Sequence, residues 1–507
     1  MRRAPWYLLA CLAFGCPAPG SRGTAAPVVR GAPTPGYAPA YPPAEPGSET
    51  SAPTVVGADK PMLPATTVAT LGPGGPGLPL AFQAAADELT AAARGRTRAW
   101  ELLGVLADSF GHRLSGSRAL ERAIDWSIEQ MKRDGLERAR REKVMVPRWV
   151  RGAERARVVA PIERDLVLLG LGGTVGTGGR PLRGEIAVVE SLDEIARRGE
   201  ALRGKIVVIN QAMPAFDHEH HHSGYGETVK IRSSGASEAA KVGAKAVLIR
   251  SVTANSLRSP HTGAVRYAEG VPKIPAAALT LEDAELLARL ARRGAATVEL
   301  SLGAKTLPDS ESANAIAELR GRELPDEIVV IGGHIDSWDV GDGSTDDGAG
   351  CIMAIEAAAM LKELGLVPRR TIRVVLFTNE ENGLRGGLAY HAAHGQERHA
   401  AAIESDSGAG APRGFGVGGT PEQVAEIQRY APLFEGLGAG LIEAGGGGAD
   451  ISPLMKQGVL GLSLQPDGSA YFDLHHSPAD TFDKIDPDHI QRNAAALALM
   501  AYILAER

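Results

Sequence analysis

The sequence predicts an α/β fold in which a mostly parallel sheet carries helices on both faces. In the second half of the 507-residue chain, apolar runs of strand length alternate with stretches of helical periodicity, an alternation typical of parallel sheets. The predicted elements are strands at 327–333, 371–378, 400–405 and 458–464, and helices at 348–364, 421–434 and about 487–505. In such sheets, ligands bind beyond the carboxyl ends of the strands. The loops that follow the four strands are therefore expected to form the functional site.

The pattern of predicted helices and strands divides the chain into two folded regions. Residues 80–154 and 306–507 are predicted to form the main domain, because helical periodicity runs from "AFQAAADELTAAA" to "SGSRALERAIDWSIEQMKRDGL" before a strand begins. Between them, residues 155–305 contain short β-branched runs such as "GKIVVIN" and "AKAVLIR", with helices expected at "SSGASEAAKVGA" and "LEDAELLARLARRG". This segment is predicted to be a small domain inserted into the main one.

Two further segments precede the folded sequence. Residues 1–26 are predicted to be an export signal, since Arg2 and Arg3 precede an apolar run too short to span a membrane. Cys11 and Cys16 lie in contexts that resemble lipoprotein cleavage sites, so a lipid anchor at either cysteine is an alternative to an ordinary signal peptide. Residues 27–79 contain 13 prolines and are predicted to be a disordered tether. The protein is therefore expected to be exported, and to be periplasmic, anchored to the outer membrane or secreted.

The composition argues against several classes of protein. With 54 basic and 60 acidic residues, the net charge is −6, and no basic stripe indicates binding to nucleic acid. Two of the three cysteines lie in the leader, so Cys351 alone cannot support a disulfide scaffold. The sequence has no GxSxG elbow, which argues against a serine hydrolase.

One His and five Asp occur within 14 residues directly after the first predicted strand, in "HIDSWDVGDGSTDD" (334–347). His334 and Asp336 follow the strand, and Asp346 and Asp347 lie where the next helix begins. The other candidates follow the other three strands: Glu380 and Glu381 in "TNEENG", Asp406 in "ESDSG", and His475 and His476 in "YFDLHHSPADT". Because the four loops share one edge of the sheet, these side chains are expected to converge.

Such convergence predicts a metal site. Carboxylates and imidazoles without thiolates suit zinc, with cobalt or manganese as alternatives. Two histidines and three or four carboxylates exceed one tetrahedral site, but they fill two sites that share a bridging Asp. Paired cations polarise a carbonyl and lower the pKa of a bound water, while a free carboxylate beside them acts as general base. The predicted chemistry is hydrolysis of an amide bond.

The motifs around these residues resemble a known family. "GGHIDSWDVGDGSTDDGAG", "TNEENG", "ESDSG" and "HHSPADT" are similar to motifs of the co-catalytic zinc peptidases, which include bacterial leucyl aminopeptidases and glutamate carboxypeptidase. "GKIVVINQ", "SPHTG" and "GVPKIPAAALTLEDAE" extend the resemblance through the inserted segment, so that it covers residues 98 to 505 or nearly so. The resemblance implies the zinc-peptidase fold, a protease-associated-like insert, two Zn²⁺ ions, short peptides as substrates and a homodimer.

The resemblance also implies a role for each candidate residue. The implied metal ligands are His334, Asp346, Glu381, Asp406 and His476, with Asp346 bridging the two ions. The remaining roles fall to Glu380 as the general base, Asp336 as the residue that orients His334, and His475 as a residue that faces the substrate.

Three questions stay open at the level of the sequence. The framework supports carboxypeptidase, dipeptidase and aminopeptidase activity, so the peptide terminus that is cleaved is not determined. A noncatalytic relative is the competing class, although such proteins typically lose ligands that are all present here. The "DHEHHH" run at 217–222 is either a metal site or a flexible polar loop, and the loop is favoured because no predicted helix or strand fixes the histidines.

Overall fold

The computed structural model describes residues 82–255 and 257–507. The predicted leader, the tether and a lipid anchor at Cys11 or Cys16 lie outside these residues. The described part contains two eight-stranded sheets with helices packed against them, and the predicted α/β class is confirmed. No helix in this part of the chain combines the length and the apolar character needed to cross a membrane.

The strands of the described residues are numbered in chain order. They are β1 (Glu137–Val150), β2 (Glu154–Ala160), β3 (Arg164–Leu166), β4 (Leu168–Gly170), β5 (Leu182–Val189), β6 (Ile206–Ile209), β7 (Ala246–Arg250), β8 (Ala276–Leu279), β9 (Thr297–Leu302), β10 (Lys305–Leu319), β11 (Leu324–His334), β12 (Arg370–Phe377), β13 (Arg398–Glu404), β14 (Gly414–Gly418), β15 (Leu441–Ala444) and β16 (Leu460–Gln465).

The α-helices within the same residues range from one turn to more than five turns. They are Gln83–Ala93, Arg98–Phe110, Arg118–Arg133, Leu192–Arg198, Tyr225–Thr228, Lys230–Lys241, Leu281–Arg293, Ala349–Glu363, Arg385–His394, Pro421–Gln428, Ser452–Met455, Tyr471–Leu474 and Pro487–Glu506. Shorter helical turns of the 3-10 type occur at Gly199–Leu202, Ala431–Leu437 and Phe482–Lys484, and a π-type turn occurs at Ser344–Gly348.

The first sheet has the strand order β1-β10-β12-β11-β13-β16-β14-β15. Its centre, β12-β11-β13-β16, is parallel, and it consists of the four strands predicted from the sequence. Antiparallel pairs at β1-β10, β10-β12 and β14-β16 extend the sheet on both sides. The sheet is therefore mixed, with the predicted parallel strands in its middle.

Alternate residues of the central strands face opposite layers of helices. In β11, Val329 belongs to one apolar core and Val330 to another, as the two-residue repeat of a strand requires. The first core includes most of the buried helix Ala349–Glu363, which packs against Pro487–Glu506. Helix Arg385–His394 contributes to the second core on the other face. Helices on both faces are thus confirmed.

One helix is shorter than its sequence pattern predicts. The helix expected at 421–434 ends at Gln428, and a 3-10 turn follows. Pro432 explains the break, because proline has no N–H to donate and its ring clashes with the carbonyl four residues earlier, that of Gln428. At the start of another helix, Arg118–Arg133, Ser117 is the cap and accepts the N–H of Leu120 at 3.2 Å.

The second sheet has the order β3-β2-β9-β5-β6-β7-β8-β4, and its strands all lie between Glu154 and Leu302. Strands β5 to β8 are parallel, while β2, β3, β4 and β9 pair antiparallel with their neighbours. Helices Lys230–Lys241 and Leu281–Arg293 belong to the two separate cores of this region. The expected strands and helices of 155–305 are present, and the assignment of this region as an independent inserted domain stays a prediction.

Candidate metal centre

The five predicted metal ligands lie beyond the carboxyl ends of the parallel strands. His334 is the last residue of β11, Glu381 follows β12 and Asp406 follows β13. Asp346 lies in the turn before the next helix, and His476 comes two residues after a short helix near the end of the chain. Four of these residues are buried, and the side chain of Asp406 is 25% exposed.

The side chain of Asp346 lies between the two histidines. His334 Nε2 is 3.1 Å from Asp346 Oδ1 and 3.7 Å from Asp406 Oδ1. On the other side, His476 Nε2 is 3.2 Å from Asp346 Oδ2 and 2.9 Å from Glu381 Oε2. The arrangement consists of two groups of candidate ligand atoms that share the carboxylate of Asp346.

The donor atoms of this centre fit divalent cations. Asp346 Oδ2 and Glu381 Oε1 are buried and make no hydrogen bond within the described structure. Two neighbouring groups, one of Asp346 with His475 and His476 and one of His334 with Asp347 and Asp406, each have ligand atoms within 4.8 Å of one another. Buried carboxylates without partners are unfavourable, and a cation supplies the missing partner. Nitrogen and oxygen donors without sulfur match zinc.

Charge is unevenly shared among these groups. Burial disfavours ionisation of Asp346, but the close imidazoles of His334 and His476 hold its pKa well below the usual range. Burial also disfavours charge on His476, yet Glu381 and Asp346 raise the pKa of that imidazole to about 9. The carboxylate between the histidines is therefore the one whose ionised form the protein stabilises most directly.

Asp347 has different contacts from its neighbour Asp346. Its Oδ2 accepts the N–H of His334 at 3.0 Å, and its Oδ1 accepts the N–H of Gly350 at 3.1 Å. Gly333 and Gly350 leave room for this side chain, since a Cβ at either position would lie within 2.3 Å of an Asp347 oxygen. Asp347 therefore fixes the backbone beneath the centre, whereas Asp346 faces both histidines.

Asp336 contacts the site differently from the way the sequence predicts. His334 Nδ1 donates to the backbone carbonyl of Asp336 at 2.9 Å, while the carboxylate lies 3.9 Å away. The carboxylate instead accepts the N–H of Glu380 at 3.1 Å and the hydroxyl of Ser115 at 3.1 Å. The side chain of Asp336 thus holds the loop that carries Glu380, and its main chain orients His334.

The adjacent acids Glu380 and Glu381 have separate surroundings. Glu381 is buried against His476, whereas Glu380 is partly exposed and its carboxylate has no hydrogen-bond partner among residues 82–255 and 257–507. Burial raises the pKa of Glu380 to about 8 and that of Glu381 to about 7, and neighbouring carboxylates add to both shifts. Cations bound beside them would favour the ionised forms and lower both values.

His475, expected from the sequence to face the substrate, is buried beside the centre. Its ring stacks on that of His476 at 3.5 Å, and its Nε2 is 3.6 Å from Asp346 Oδ2. Tyr225 and Phe472 lie against its ring with centroids 5.2 Å away. The ring of His475 therefore packs between the ligands and an aromatic layer, where it supports His476.

Residues from the second-sheet region also reach the centre, and sequence patterns assign them no role there. Arg232 Nη1 is 3.1 Å from His476 Nδ1, and its Nη2 donates to the hydroxyl of Tyr225 at 2.7 Å. His261 Nδ1 is 2.7 Å from the carbonyl of His475, and the N–H of Thr262 donates to the carbonyl of His476 at 2.9 Å. The motif "SPHTG" contains the last two residues, but 214 residues separate His261 from its partner.

The loop that carries Asp346 is fixed by two buried residues of opposite charge. Asp480, part of the "HHSPADT" motif, accepts the N–H of Thr345 at 2.7 Å and that of Asp346 at 3.1 Å. The guanidinium of Arg113 donates to the carbonyls of Ile335, Asp342 and Gly343 at 2.8, 2.6 and 2.9 Å. Both residues therefore hold the backbone of this loop.

The histidine-rich run at 217–222 forms a small exposed hairpin. Asp217 and His222 exchange backbone hydrogen bonds of 2.8 and 3.1 Å, and His220 Nδ1 is 2.8 Å from Asp217 Oδ2. Its residues are absent from the groups of metal-ligand geometry found among the described residues. The interpretation of the run as a polar loop stays a prediction.

Comparisons with known proteins identify relatives among the peptidases. The model of peptidase family M28 matches residues 314–501. Carboxypeptidase Q of Mus musculus is 42% identical over 414 residues, covering 81% of this chain and 86% of the mouse protein. The Homo sapiens protein of the same name is 41% identical over 416 residues, covering 82% and 86%.

Solved structures share the fold. The crystal structure of a peptidase M28 precursor from Shewanella amazonensis SB2B aligns with a TM-score of 0.80 at 37% identity, covering 85% of this chain and 98% of that one. A zinc aminopeptidase from Bacillus subtilis aligns with a TM-score of 0.59 at 20% identity, covering 81% and 94%.

The fold, the ligand set and these relatives together define a zinc-dependent exopeptidase. The chain belongs to peptidase family M28. The resemblance to carboxypeptidase Q among the co-catalytic zinc peptidases, which the sequence motifs indicate, is confirmed.

Proposed function

We propose that the protein is an exported peptidase that binds two zinc ions and hydrolyses the peptide bonds of dipeptides or short peptides. The observation that carries this proposal is the position of Asp346 between His334 and His476, at 3.1 and 3.2 Å, with a further carboxylate beside each histidine. In this scheme His334 and Asp406 would hold one ion and His476 and Glu381 the other, with the carboxylate of Asp346 available to both. Such ions would supply polarisation of the substrate carbonyl and a lower pKa for the attacking water.

Glu380 is the proposed general base. Its carboxylate is partly exposed beside the centre, and the contact between its N–H and Asp336 fixes its backbone. In this role Glu380 takes a proton from the attacking water and delivers it to the departing amine nitrogen. Asp336 contributes by positioning Glu380 and, through its carbonyl, His334.

The same proposal covers the substrate specificity, the domain organisation, the export and the oligomeric state of the enzyme. The carboxypeptidase Q relatives favour carboxypeptidase or dipeptidase activity, and aminopeptidase activity is the alternative. The region of the second sheet is proposed to be a protease-associated-like insert that closes the site through Arg232 and Thr262. Export follows from the sequence of residues 1–26, and a homodimer from the family resemblance.

Zinc removal and replacement test the proposal. Protein stripped by a chelator should lose hydrolysis of dipeptides, and added zinc should restore it as two equivalents bind per chain. A panel of free, N-blocked and C-blocked dipeptides then identifies the terminus that is recognised. Full activity after complete metal removal, or no hydrolysis of any peptide by the zinc-loaded protein, would contradict the proposal.

A further inference from the structure

A cavity of about 350 Å³ adjoins the proposed zinc centre. It lies between loops that follow the first sheet and the hairpin of the histidine-rich run. Its wall includes Asp406, Arg413, Glu443, Tyr471, Phe216 and His221. Because a predicted metal ligand forms part of this wall, a molecule in the cavity lies next to the reacting centre.

Two contacts join the second-sheet region to the segment that carries Tyr471 and Phe472, two residues of the cavity wall. The rings of Tyr225 and Phe472 stack with centroids 4.4 Å apart and planes inclined by 19°. Asn255 Nδ2 donates to both carboxylate oxygens of Asp473 at 3.1 Å. Tyr471, between these contacts and the metal ligands, donates to Asp406 Oδ1 at 3.4 Å. The volume of the cavity suits one or a few amino-acid residues, since drug-sized ligands occupy roughly 300–1,000 Å³.

Arg413 is the unpaired cation of this wall. Its side chain is half-buried and makes no hydrogen bond or ion pair within residues 82–255 and 257–507, whereas its backbone carbonyl accepts the N–H of Leu441 at 2.9 Å. By contrast, Arg151 elsewhere near the centre makes a two-point ion pair with Asp339. A guanidinium presents a planar fork of donors that matches a carboxylate. Arg413 thus offers a ready site for a carboxylate that the described chain does not supply.

We infer that Arg413 binds the free carboxylate of a short peptide and thereby selects substrates that end just beyond the scissile bond. The inference rests on the proposed peptidase function and specifies its substrate class as dipeptides and other peptides with an unblocked C-terminus. Glu443 lines the same cavity and has the charge to bind an amino terminus, but it is exposed and solvated. A ligand of opposite charge therefore stabilises the half-buried, unpaired guanidinium of Arg413 more than the exposed carboxylate of Glu443.

Kinetics on matched substrates test this role. The zinc-loaded wild type, Arg413→Gln, Arg413→Lys, the rival variant Glu443→Gln and the surface control Arg183→Gln, whose side chain is 67% exposed and pairs with Glu299, are each assayed on one dipeptide, its C-terminal amide and its N-acetyl derivative. For Arg413→Gln we expect kcat/KM on the free dipeptide to fall roughly 10- to 100-fold, mainly through KM, as loss of a charge-assisted pair predicts. The amide should be affected little, Arg413→Lys should recover part of the loss, and Arg183→Gln should behave as wild type.

The outcomes separate this inference from the function on which it rests. An equal fall on the free dipeptide and its amide, or no fall on either, would overturn the role of Arg413 while leaving zinc-dependent hydrolysis intact. The same holds if Glu443→Gln, rather than Arg413→Gln, changes the preference between free and blocked peptides. Absence of hydrolysis in the zinc-loaded wild type would overturn both statements. Zinc content is measured for every variant, so that loss of metal is not mistaken for loss of substrate binding.

Discussion

At the scale of single residues, neighbouring acids of this site have distinct contacts because the chain turns between them. Glu381 contacts His476, whereas the carboxylate of Glu380 is free of described partners. Asn379 has φ 66°, so the turn begins directly before the pair. Asp346 and Asp347 divide in the same way, one between the histidines and the other on the backbone N–H groups of His334 and Gly350. Each pair therefore provides an internal control.

We expect Glu380→Gln to keep zinc and substrate affinity while kcat falls by roughly two to four orders of magnitude. Glutamine keeps the shape of the side chain but cannot accept the proton of the attacking water. Metal analysis, substrate binding and steady-state kinetics measure the three quantities. Glu381→Gln is the matched variant, which should bind zinc more weakly and regain some activity when zinc is added. Zinc loss confined to Glu380→Gln would show that the two roles are exchanged.

Asp346→Ala should lose both zinc ions, while Asp347→Ala should lose much less. The first change removes the carboxylate that lies within 3.2 Å of both histidines. The second removes two backbone contacts and leaves the ligands in place, so its main effect should be on stability. Zinc content after dialysis at a fixed free zinc concentration distinguishes the variants. Equal retention by both would mean that Asp346 is not the bridging ligand.

At the scale of elements, the loop from β11 to helix Ala349–Glu363 is held by residues distant in sequence. Arg113 is fully buried, and burial lowers the pKa of its guanidinium, yet it has no carboxylate within hydrogen-bond distance in the described structure. Its donors are satisfied by carbonyls of the loop. Three carbonyls that would otherwise be buried without partners are thereby paired.

Replacement of Arg113 by Lys should loosen this loop. A lysine ammonium cannot reach the three carbonyls that the guanidinium fork spans, so we expect a loss of about 2–4 kcal/mol in stability and weaker zinc binding. Thermal unfolding and zinc titration measure the two effects. Arg183→Lys is the control, because that side chain is 67% exposed and pairs with Glu299 on the surface. If Arg113→Lys is as stable as Arg183→Lys and binds zinc as tightly, Arg113 does not hold the loop.

The sequence predicted the central elements better than the edges of the first sheet. The four parallel strands and the helix at Pro487–Glu506 are buried on both faces, which requires nearly continuous apolar sequence. These elements can therefore be predicted from the sequence. The two outermost strands on one side, β14 and the edge strand β15, are not predicted, since "GFGVG" is glycine-rich and "LIEA" is only four residues long. These strands form because β14 pairs with β16 and β15 pairs with β14. No local sequence pattern indicates this pairing.

At the scale of the whole molecule, buried acids around the centre couple its stability to pH. Glu404 is buried at the end of β13, where one carboxyl oxygen accepts the N–H of Ile451 at 2.9 Å and the other makes no hydrogen bond in the described structure. Burial raises the pKa of Glu404 to about 7, and Asp406 adds to the shift. The folded state therefore retains a proton on Glu404 at pH values where the unfolded chain has lost it.

The wild type should lose stability relative to Glu404→Gln as the pH rises from about 5 to about 8. A folded pKa above the unfolded value means that the folded state binds more protons in this window, so its stability falls as that proton is lost. The difference in free energy of unfolding between the two proteins should change by roughly 2–3 kcal/mol. Denaturant unfolding of zinc-stripped protein measures it, with exposed Glu443→Gln as control. Parallel pH profiles for wild type and Glu404→Gln would exclude this coupling.

The sequence by itself determined the α/β class, the order of the central elements and the candidate ligands, because strand and helix periodicities and the acid-rich loops are local patterns. The tertiary structure decided which acid of each pair faces the histidines, and that the carboxylate of Asp336 holds Glu380. It also brought Arg232 to His476 across 244 residues and placed Arg413 in the cavity beside Asp406. Such contacts depend on how the two sheets meet and how loops turn after strands, and neither leaves a periodic signal in the chain.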